Sequence, residues 1–110
     1  VLPLSESYFT LFFSIAGCAP AYAYMFIDSL ARSAVKNGMN KSVALEIAAQ
    51  TVLGSAKKIL ESDEHPWEPI DKVCSPGGTT IEGIVSLQKD GFESAVCNAV
   101  DAALQKDKKV

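Results

Sequence analysis

Apolar residues recur along most of the chain at the three- and four-residue spacing that places them on one face of an α-helix. The alternating pattern of a β-strand is weak throughout. The spacing predicts helices over about 7–15, 20–36, 41–62, 80–89 and 92–106, and a short segment at 70–74. The fold class is therefore predicted to be all-α, a bundle of about five helices in a single domain.

The first two predicted helices are separated by small residues that end in a proline. Ser5 is the expected N-cap of the first helix, and Gly17 to Pro20 is expected to break it, with Pro20 opening the second helix. Residues 9–27 carry no charged side chain and are long enough to cross a bilayer. The proline, the small residues around it and the lack of a clear basic flank favour a buried helix pair instead, packed partly against another subunit.

The third helix is bounded and thinned by its sequence. Asn37 and Gly38 both tolerate the left-handed conformation that ends a helix, and Asn40 or Ser42 is expected to cap the next one. Small residues keep much of this helix thin, which lets a neighbouring backbone approach closely and suits a central position; they are Ala44, Ala48, Ala49, Gly54, Ser55 and Ala56.

Composition narrows the possible functions. The chain has 110 residues, 48% of them hydrophobic, with a net charge of −3 and a pI near 5.0, so we expect a packed core and no nucleic-acid partner. Three cysteines, an odd number without CxxC spacing, argue against disulfides or zinc and favour buried, reduced thiols in the cytoplasm. The chain starts at Val1 without a signal-peptide pattern, so it is interpreted as a fragment.

The other polar groups suggest no metal or acid–base site. The acidic residues Glu61, Asp63 and Glu64 lack EF-hand spacing and are interpreted as a solvated helix end. His65, the only histidine, is expected at the surface, in a polar connector over 62–69.

The most informative stretch is Ser75-Pro76-Gly77-Gly78-Thr79-Thr80. Ser75 can cap a helix whose first position is Pro76, and the two glycines would leave the N–H groups of that helix end open to a small anion. The threonines add hydroxyl groups. No fixed positive charge is present, so a carboxylate fits at least as well as a polyphosphate. An ordinary glycine-rich turn with a capping serine explains the same residues and stays open as the alternative.

These residues lie within a longer segment that resembles a known family. Asp71-Lys72-Val73-Cys74-Ser75-Pro76-Gly77-Gly78-Thr79-Thr80-Ile81-Glu82-Gly83-Ile84 is similar to the signature segment of pyrroline-5-carboxylate reductases. Residues 16–22, 48–54 and 91–92 also resemble family segments. Ala16 and Ala19 depart from the family's usual serine and glycine, which affects the packing before Pro20 and not the fold.

The resemblance implies an activity and an architecture. The parent enzyme would be an oxidoreductase that reduces 1-pyrroline-5-carboxylate to L-proline with NADPH or NADH in proline biosynthesis. Residues 1–110 would be its C-terminal dimerisation and substrate-binding domain, interlocked in a homodimer of the 6-phosphogluconate-dehydrogenase C-terminal-like type, and dimers can assemble into a larger ring. The N-terminal Rossmann domain that carries the cofactor in this family is absent, so the fragment alone is expected to be inactive and to bind no cofactor tightly.

The resemblance also assigns roles to residues. Ser75, Gly78 and Thr79, together with the adjacent Gly77, would form the substrate-carboxylate site. Thr80 would be the catalytic residue, with its hydroxyl near the ring nitrogen or the nicotinamide. Two other functions stay open: a stand-alone helical interaction module without enzymatic activity, and the helical domain of a different Rossmann-linked dehydrogenase.

Overall fold

The computed structural model describes residues 6–108, and within that range every regular element is helical. The elements are α1 (Glu6–Phe13), a π-helical turn (Ser14–Cys18), α2 (Ala19–Lys36), α3 (Lys41–Glu61), α4 (Trp67–Val73), α5 (Thr79–Lys89) and α6 (Phe92–Lys108). Because α1, the π-helical turn and α2 follow one another without a gap, they form one rod, and the described chain has five separate helices. The all-α prediction is confirmed, whereas the predicted cap at Ser5 lies outside the described residues.

The predicted break at Gly17 to Pro20 is wrong. The helix passes through this region by widening into the π-helical turn, and the N–H of Ala19 donates to the carbonyl of Ile15 at its end. Pro20 stands in the first turn of α2. In an unbroken α-helix its ring would press against the carbonyl four residues earlier, and a wider turn moves that carbonyl away. A proline that the sequence rules associate with a helix start is therefore accommodated inside a rod.

Helices α2 and α3 form an antiparallel hairpin around a small core. Ala31, Ala44 and Ala48 are 0%, 2% and 5% exposed, and Ile27 and Ala34 pack against them. Alanine at these points lets the two helices approach closely, as predicted for a thin third helix. We call these three buried alanines the seam.

The hairpin is closed by the predicted turn and cap. The side chain of Asn40 accepts hydrogen bonds from the N–H groups of Ser42 at 3.0 Å and Val43 at 3.4 Å, which satisfies two open donors at the start of α3. Gly38 has a φ of +107°, a conformation that L side chains rarely adopt. Both local signals read from the sequence are confirmed.

The last two helices form a second hairpin that rests on the rod. The rings of Phe26 and Phe92 lie 6.0 Å apart, and the hydroxyl of Tyr22 donates to the carbonyl of Ala99 at 3.5 Å. Farther along α6, Ala103 and Leu104 line a groove against α1 and the π-helical turn. Large side chains make these contacts and leave grooves between the elements.

The short helix α4 begins earlier than predicted. Its first residue is Trp67, inside the stretch expected to be an irregular connector. Pro66 and Pro69 do not prevent helix formation because the N–H groups of a first helical turn have no acceptor within the helix.

The chain exposes far more surface than a self-contained domain of its size. Its accessible area is 8915 Å², whereas a folded monomer of 11.7 kDa exposes about 5,900 Å². Its radius of gyration is 16.4 Å, against about 13 Å for a compact domain of this length. The difference is about 3,000 Å² per chain, so a pair of chains would have about 6,000 Å² to bury, which is the scale of a large obligate interface.

Eleven of the large apolar side chains that are exposed within the described residues belong to the rod. We call this set the outer face; it comprises Tyr8, Phe9, Leu11, Phe12, Phe13, Ile15, Tyr24, Met25, Phe26, Leu30 and Val35. Over Tyr8–Lys36 the rod is long and apolar enough to cross a membrane by length and composition alone. Core helices of water-soluble proteins meet the same criterion, so this is weak evidence for a membrane span. The exposed apolar side chains of the outer face do indicate that another apolar surface covers them.

Candidate functional site

Residues 75–78 form a tight turn that leads directly into α5. The N–H of Gly78 donates to the carbonyl of Ser75 at 3.0 Å, and Gly77 has a φ of +70°. Proline at the second position and a left-handed glycine at the third are the arrangement of a type II turn. The prediction that Ser75 caps the helix and that Pro76 opens it is wrong, because the N-cap is Gly78 and the first helical residue is Thr79.

The turn requires glycine at position 77 and favours it at position 78. Gly77 supplies the positive φ, which costs other residues steric strain. A β-carbon on Gly78 would lie 2.5 Å from the Oγ of Ser75 and 3.2 Å from its carbonyl oxygen. The sequence pattern predicts ligand access for both glycines, and the structure adds a backbone role for Gly77 and a close approach to the Ser75 carbonyl for Gly78.

The start of α5 nevertheless leaves backbone donors open. Gly78 provides no side-chain cap, and the N–H groups of Thr79 and Thr80 belong to the first helical turn, where a helix offers no acceptor. Both threonine side chains are exposed beside them. Open N–H groups and the positive end of the helix dipole together favour a small anion. Glu82 lies in the same turn and opposes that preference, so an anion needs the direct hydrogen bonds.

The predicted site residues are thus brought together, with one change of role. Ser75, Gly77 and Gly78 build the turn, and Thr79 and Thr80 carry the exposed polar groups. The N–H of Gly78 is already used inside the turn. The prediction that the N–H group of Gly78 is open to a ligand is therefore wrong.

A charged pair missed by sequence reasoning ties α4 to the connector before it. The Nζ of Lys72 donates to the Oε1 of Glu64 at 2.8 Å. This hydrogen bond is the main cause that holds the pKa of Glu64 below its ordinary value, and the charge of Lys58 acts in the same direction. The pKa of Lys72 is raised by the same bond. A contact between residues eight apart, with two prolines between them, has no periodic sequence signal, so the sequence predicts only a solvated Glu64.

Other residues singled out in the sequence have plainer roles. His65 is exposed, as predicted, and its Nδ1 accepts a hydrogen bond from the N–H of Trp67 at 3.2 Å. Cys18 and Cys97 are exposed and Cys74 is half-buried, so the expectation of buried thiols is wrong for the single chain. Within residues 6–108 no group of three or more histidine, cysteine, aspartate or glutamate side chains could hold a metal ion.

Comparison with known proteins identifies the family. The sequence model described as pyrroline-5-carboxylate reductase dimerisation matches residues 6–110. The chain belongs to this family.

Relatives in the pyrroline-5-carboxylate reductase family agree in sequence and in fold. The Escherichia coli (strain K12) reductase is 47% identical over 96 residues, which cover 87% of this chain and 36% of that protein. The crystal structure of the Streptococcus pyogenes enzyme is 45% identical and superposes with a TM-score of 0.95, covering 99% of this chain and 42% of that one. The Plasmodium falciparum reductase, solved with NADP bound, is 39% identical with a TM-score of 0.91, over 96% and 40% of the two chains.

The fraction of each relative that this chain matches shows which part of the family's proteins it corresponds to. It spans about two fifths of the length of these pyrroline-5-carboxylate reductases, and it corresponds to their C-terminal dimerisation domain. The resemblance first seen in residues 71–84 is confirmed over nearly the whole chain.

Proposed function

We propose that residues 1–110 form the dimerisation and substrate-binding domain of an enzyme that reduces 1-pyrroline-5-carboxylate to L-proline with NADPH or NADH. The observation that carries the proposal is the open start of α5 behind the 75–78 turn, in a chain that also exposes an apolar rod. The first feature suits a small carboxylate and the second suits a second copy of the chain. A stand-alone interaction module would need only the second feature.

A homodimer is the assembly that we propose. The excess area of about 3,000 Å² per chain, or about 6,000 Å² for a pair, is the scale of a large obligate interface, and obligate interfaces are the more hydrophobic kind. A second copy also presents the same outer face, so the two faces can cover each other around a twofold axis. Such cover makes lipid unnecessary, in keeping with a soluble, cytoplasmic enzyme. Assembly of dimers into a larger ring would be a separate step.

The substrate carboxylate is proposed to bind at the start of α5. The N–H groups and hydroxyl groups of Thr79 and Thr80 are the donors that the turn leaves open, and Ser75 adds a hydroxyl beside them. Gly77 and Gly78 contribute by shaping the turn, which keeps side chains away from the helix end. In this arrangement Thr80 would orient the ring nitrogen of the imine.

Reduction of the imine requires little from this domain beyond binding the substrate. A protonated imine is already electrophilic, so the protein has mainly to hold its ring in one orientation. The reduced nicotinamide cofactor supplies the hydride when it is bound. This chain does not fit that group: its sequence contains no G-x-G-x-x-G, and no strand lies within residues 6–108 to build a dinucleotide fold. The domain's share is therefore to bind and orient the imine acid.

Sedimentation and melting test the dimer. If folding and association are coupled, the melting temperature rises with protein concentration. A stable, folded monomer at low micromolar concentration would contradict the proposed assembly. The same sedimentation profiles would reveal larger rings as faster species.

Kinetics on the full-length protein test the substrate site. Replacing Thr80 with alanine removes one hydrogen bond to a charged or polar reacting group, so kcat/KM should fall roughly ten- to a hundredfold. The Thr80→Ser variant keeps the hydroxyl and should retain most activity. If both variants match the unsubstituted enzyme, the start of α5 is only a turn and the substrate binds elsewhere.

A further inference from the structure

Helix α4 immediately precedes the 75–78 turn, and little apolar packing holds it in place. It has seven residues, too few to be stable as an isolated helix. A groove of about 410 Å³ lies between α3 and α4, lined by Ile59 on one side and by Ile70 and Val73 on the other. Because this groove is open, apolar contact alone does not fix the direction of α4.

An ion pair between Glu64 and Lys72 joins the connector to α4; the Lys72 side chain is 62% exposed and that of Glu64 is 34% exposed. The N–H of Glu64 donates to the Oγ of Ser62 at 3.0 Å, which folds the connector back on itself, and the Oε1 of Glu64 accepts from the Nζ of Lys72. The Oε2 of Glu64 is buried and has no hydrogen-bond partner within the described part of the chain. A carboxylate oxygen is costly to withdraw from water unless the group has a charged partner. The geometry of Glu64 therefore depends on Lys72.

Short hydrogen-bonded units connect Lys72 to the start of α5. The N–H of Cys74 donates to the carbonyl of Asp71 at 3.3 Å, and the 75–78 turn follows at once. Thr79 then begins α5. Few freely rotating backbone bonds separate the end of α4, the 75–78 turn and the start of α5. A change in the direction of α4 therefore moves the turn with it.

We propose that Glu64 and Lys72 are positioning residues, and that their ion pair fixes α4 so that the turn and the start of α5 hold the substrate in one orientation. The role rests on the proposed function, since it concerns the same carboxylate site. Neither residue touches the substrate; each acts through the backbone between residues 72 and 80.

The test uses the full-length reductase with Glu64→Gln and Lys72→Met variants. The KM for the imine acid should rise about three- to tenfold, with kcat within about twofold, because a displaced turn weakens binding before it affects chemistry. Lys72→Arg keeps the charge and the donor and should keep a normal KM. The double variant should be no worse than either single variant, since Glu64→Gln removes the negative charge of the pair and Lys72→Met removes its positive charge and its donor.

Asp28→Asn is the matched control. Asp28 forms an exposed ion pair with Arg32 on α2, outside the α4 region, and its loss should leave KM unchanged. A raised KM in Asp28→Asn equal to that of Glu64→Gln would overturn the positioning role. So would a Glu64→Gln enzyme with normal KM.

Hydrogen exchange separates this inference from the proposed function. In the same full-length protein, backbone amides of residues 72–81 should exchange faster in Glu64→Gln than in Asp28→Asn, whatever the enzyme's substrate. An unsubstituted protein that is inactive on the imine acid, with this exchange pattern intact, would reject the proposed reaction and support the positioning role. Equal exchange in the two variants would reject the positioning role alone.

Discussion

The seam and the outer face use apolar residues in opposite ways. At the seam, alanines let α2 and α3 meet closely, and each alanine is at most 5% exposed. On the outer face, side chains several times larger stay open, with Tyr24 and Met25 at 68% and 71%. Both sets lie partly on α2, so one helix carries both kinds of surface.

The seam contributes to the folding of each chain, whereas the outer face contributes to the association of two chains. Burying three alanines removes little apolar area, so the seam alone gives weak stability. The larger contribution is available only when the outer face is covered. This division predicts that substitutions in the seam change the fold of each chain, and that substitutions on the outer face change association first.

A charge on the outer face should have the largest effect. Met25→Glu would place an unpaired carboxylate in the proposed dimer interface, at a cost of about 3 kcal/mol and more than a hundredfold in the dimer Kd. Because the seam alone stabilises the fold weakly, the Met25→Glu chain should lose helical content on dilution at concentrations where the unsubstituted chain keeps it. Sedimentation equilibrium with circular dichroism makes the measurement.

Asn98→Glu is the control for that change. Asn98 is exposed on α6, on the side away from Val96 and Val100. The dimer Kd should stay within a few fold. If Met25→Glu leaves the dimer equally tight, this part of the outer face is not the interface.

Overfilling the seam should have the next largest effect. Ala48→Leu adds three carbon atoms where α2 and α3 are in close contact, and overpacking of this kind typically costs about 1–3 kcal/mol. Denaturant titration at fixed protein concentration measures the loss. The matched variant Ala56→Leu changes an exposed position of the same helix. Equal losses in both would mean that the seam is not tightly packed.

Local sequence signals predicted most of the fold. The spacing of apolar residues gave α3 to within one residue at its end, and the Asn37-Gly38 stop and the Asn40 cap both hold. The pairing of Asp28 with Arg32, four residues apart on α2, is an interaction of the same local kind. Each signal depends on neighbours within one or two helical turns, and such interactions are fixed once the helix forms.

Three features escaped prediction for a different reason. The π-helical turn depends on how a whole rod shifts its hydrogen-bond register, which Pro20 alone does not reveal. The 75–78 turn could equally have been the first turn of a helix, since serine, proline and glycine suit both. The Glu64 contact to Lys72 joins residues brought together by the bend before α4. The candidate site residues were predicted from the glycine-rich segment and from family resemblance, and their local geometry came only from the structure.

A smaller effect is expected from the cap that closes the hairpin. Asn40→Ala removes the side-chain acceptor for the N–H groups of Ser42 and Val43, which typically costs about 1 kcal/mol. Thermal melting at one protein concentration should detect it. Asn40→Asp keeps the acceptor and should melt close to the unsubstituted chain, so an Asn40→Asp variant as unstable as Asn40→Ala would reject capping as the cause.

The smallest predicted effect on stability comes from the ion pairs of Asp28, which lie on the same hairpin. Asp28 pairs with Arg32 on α2 and with Lys41 at the start of α3, at 3.5 Å. The hydrogen bond from Arg32 is the first cause that holds the pKa of Asp28 below its ordinary value of 3.8, with the charges of Arg32 and Lys41 acting in the same direction. A carboxyl group whose pKa is lower in the folded state stabilises the fold above its unfolded pKa, and the contribution is lost as the pH falls through the folded pKa.

The melting temperature of the unsubstituted chain should therefore exceed that of Asp28→Asn slightly at about pH 6, and the two should converge in acid below the ordinary pKa. The gap should shrink in high salt, because exposed pairs are screened. A difference that persists unchanged in acid would mean that Asp28 acts through packing rather than charge.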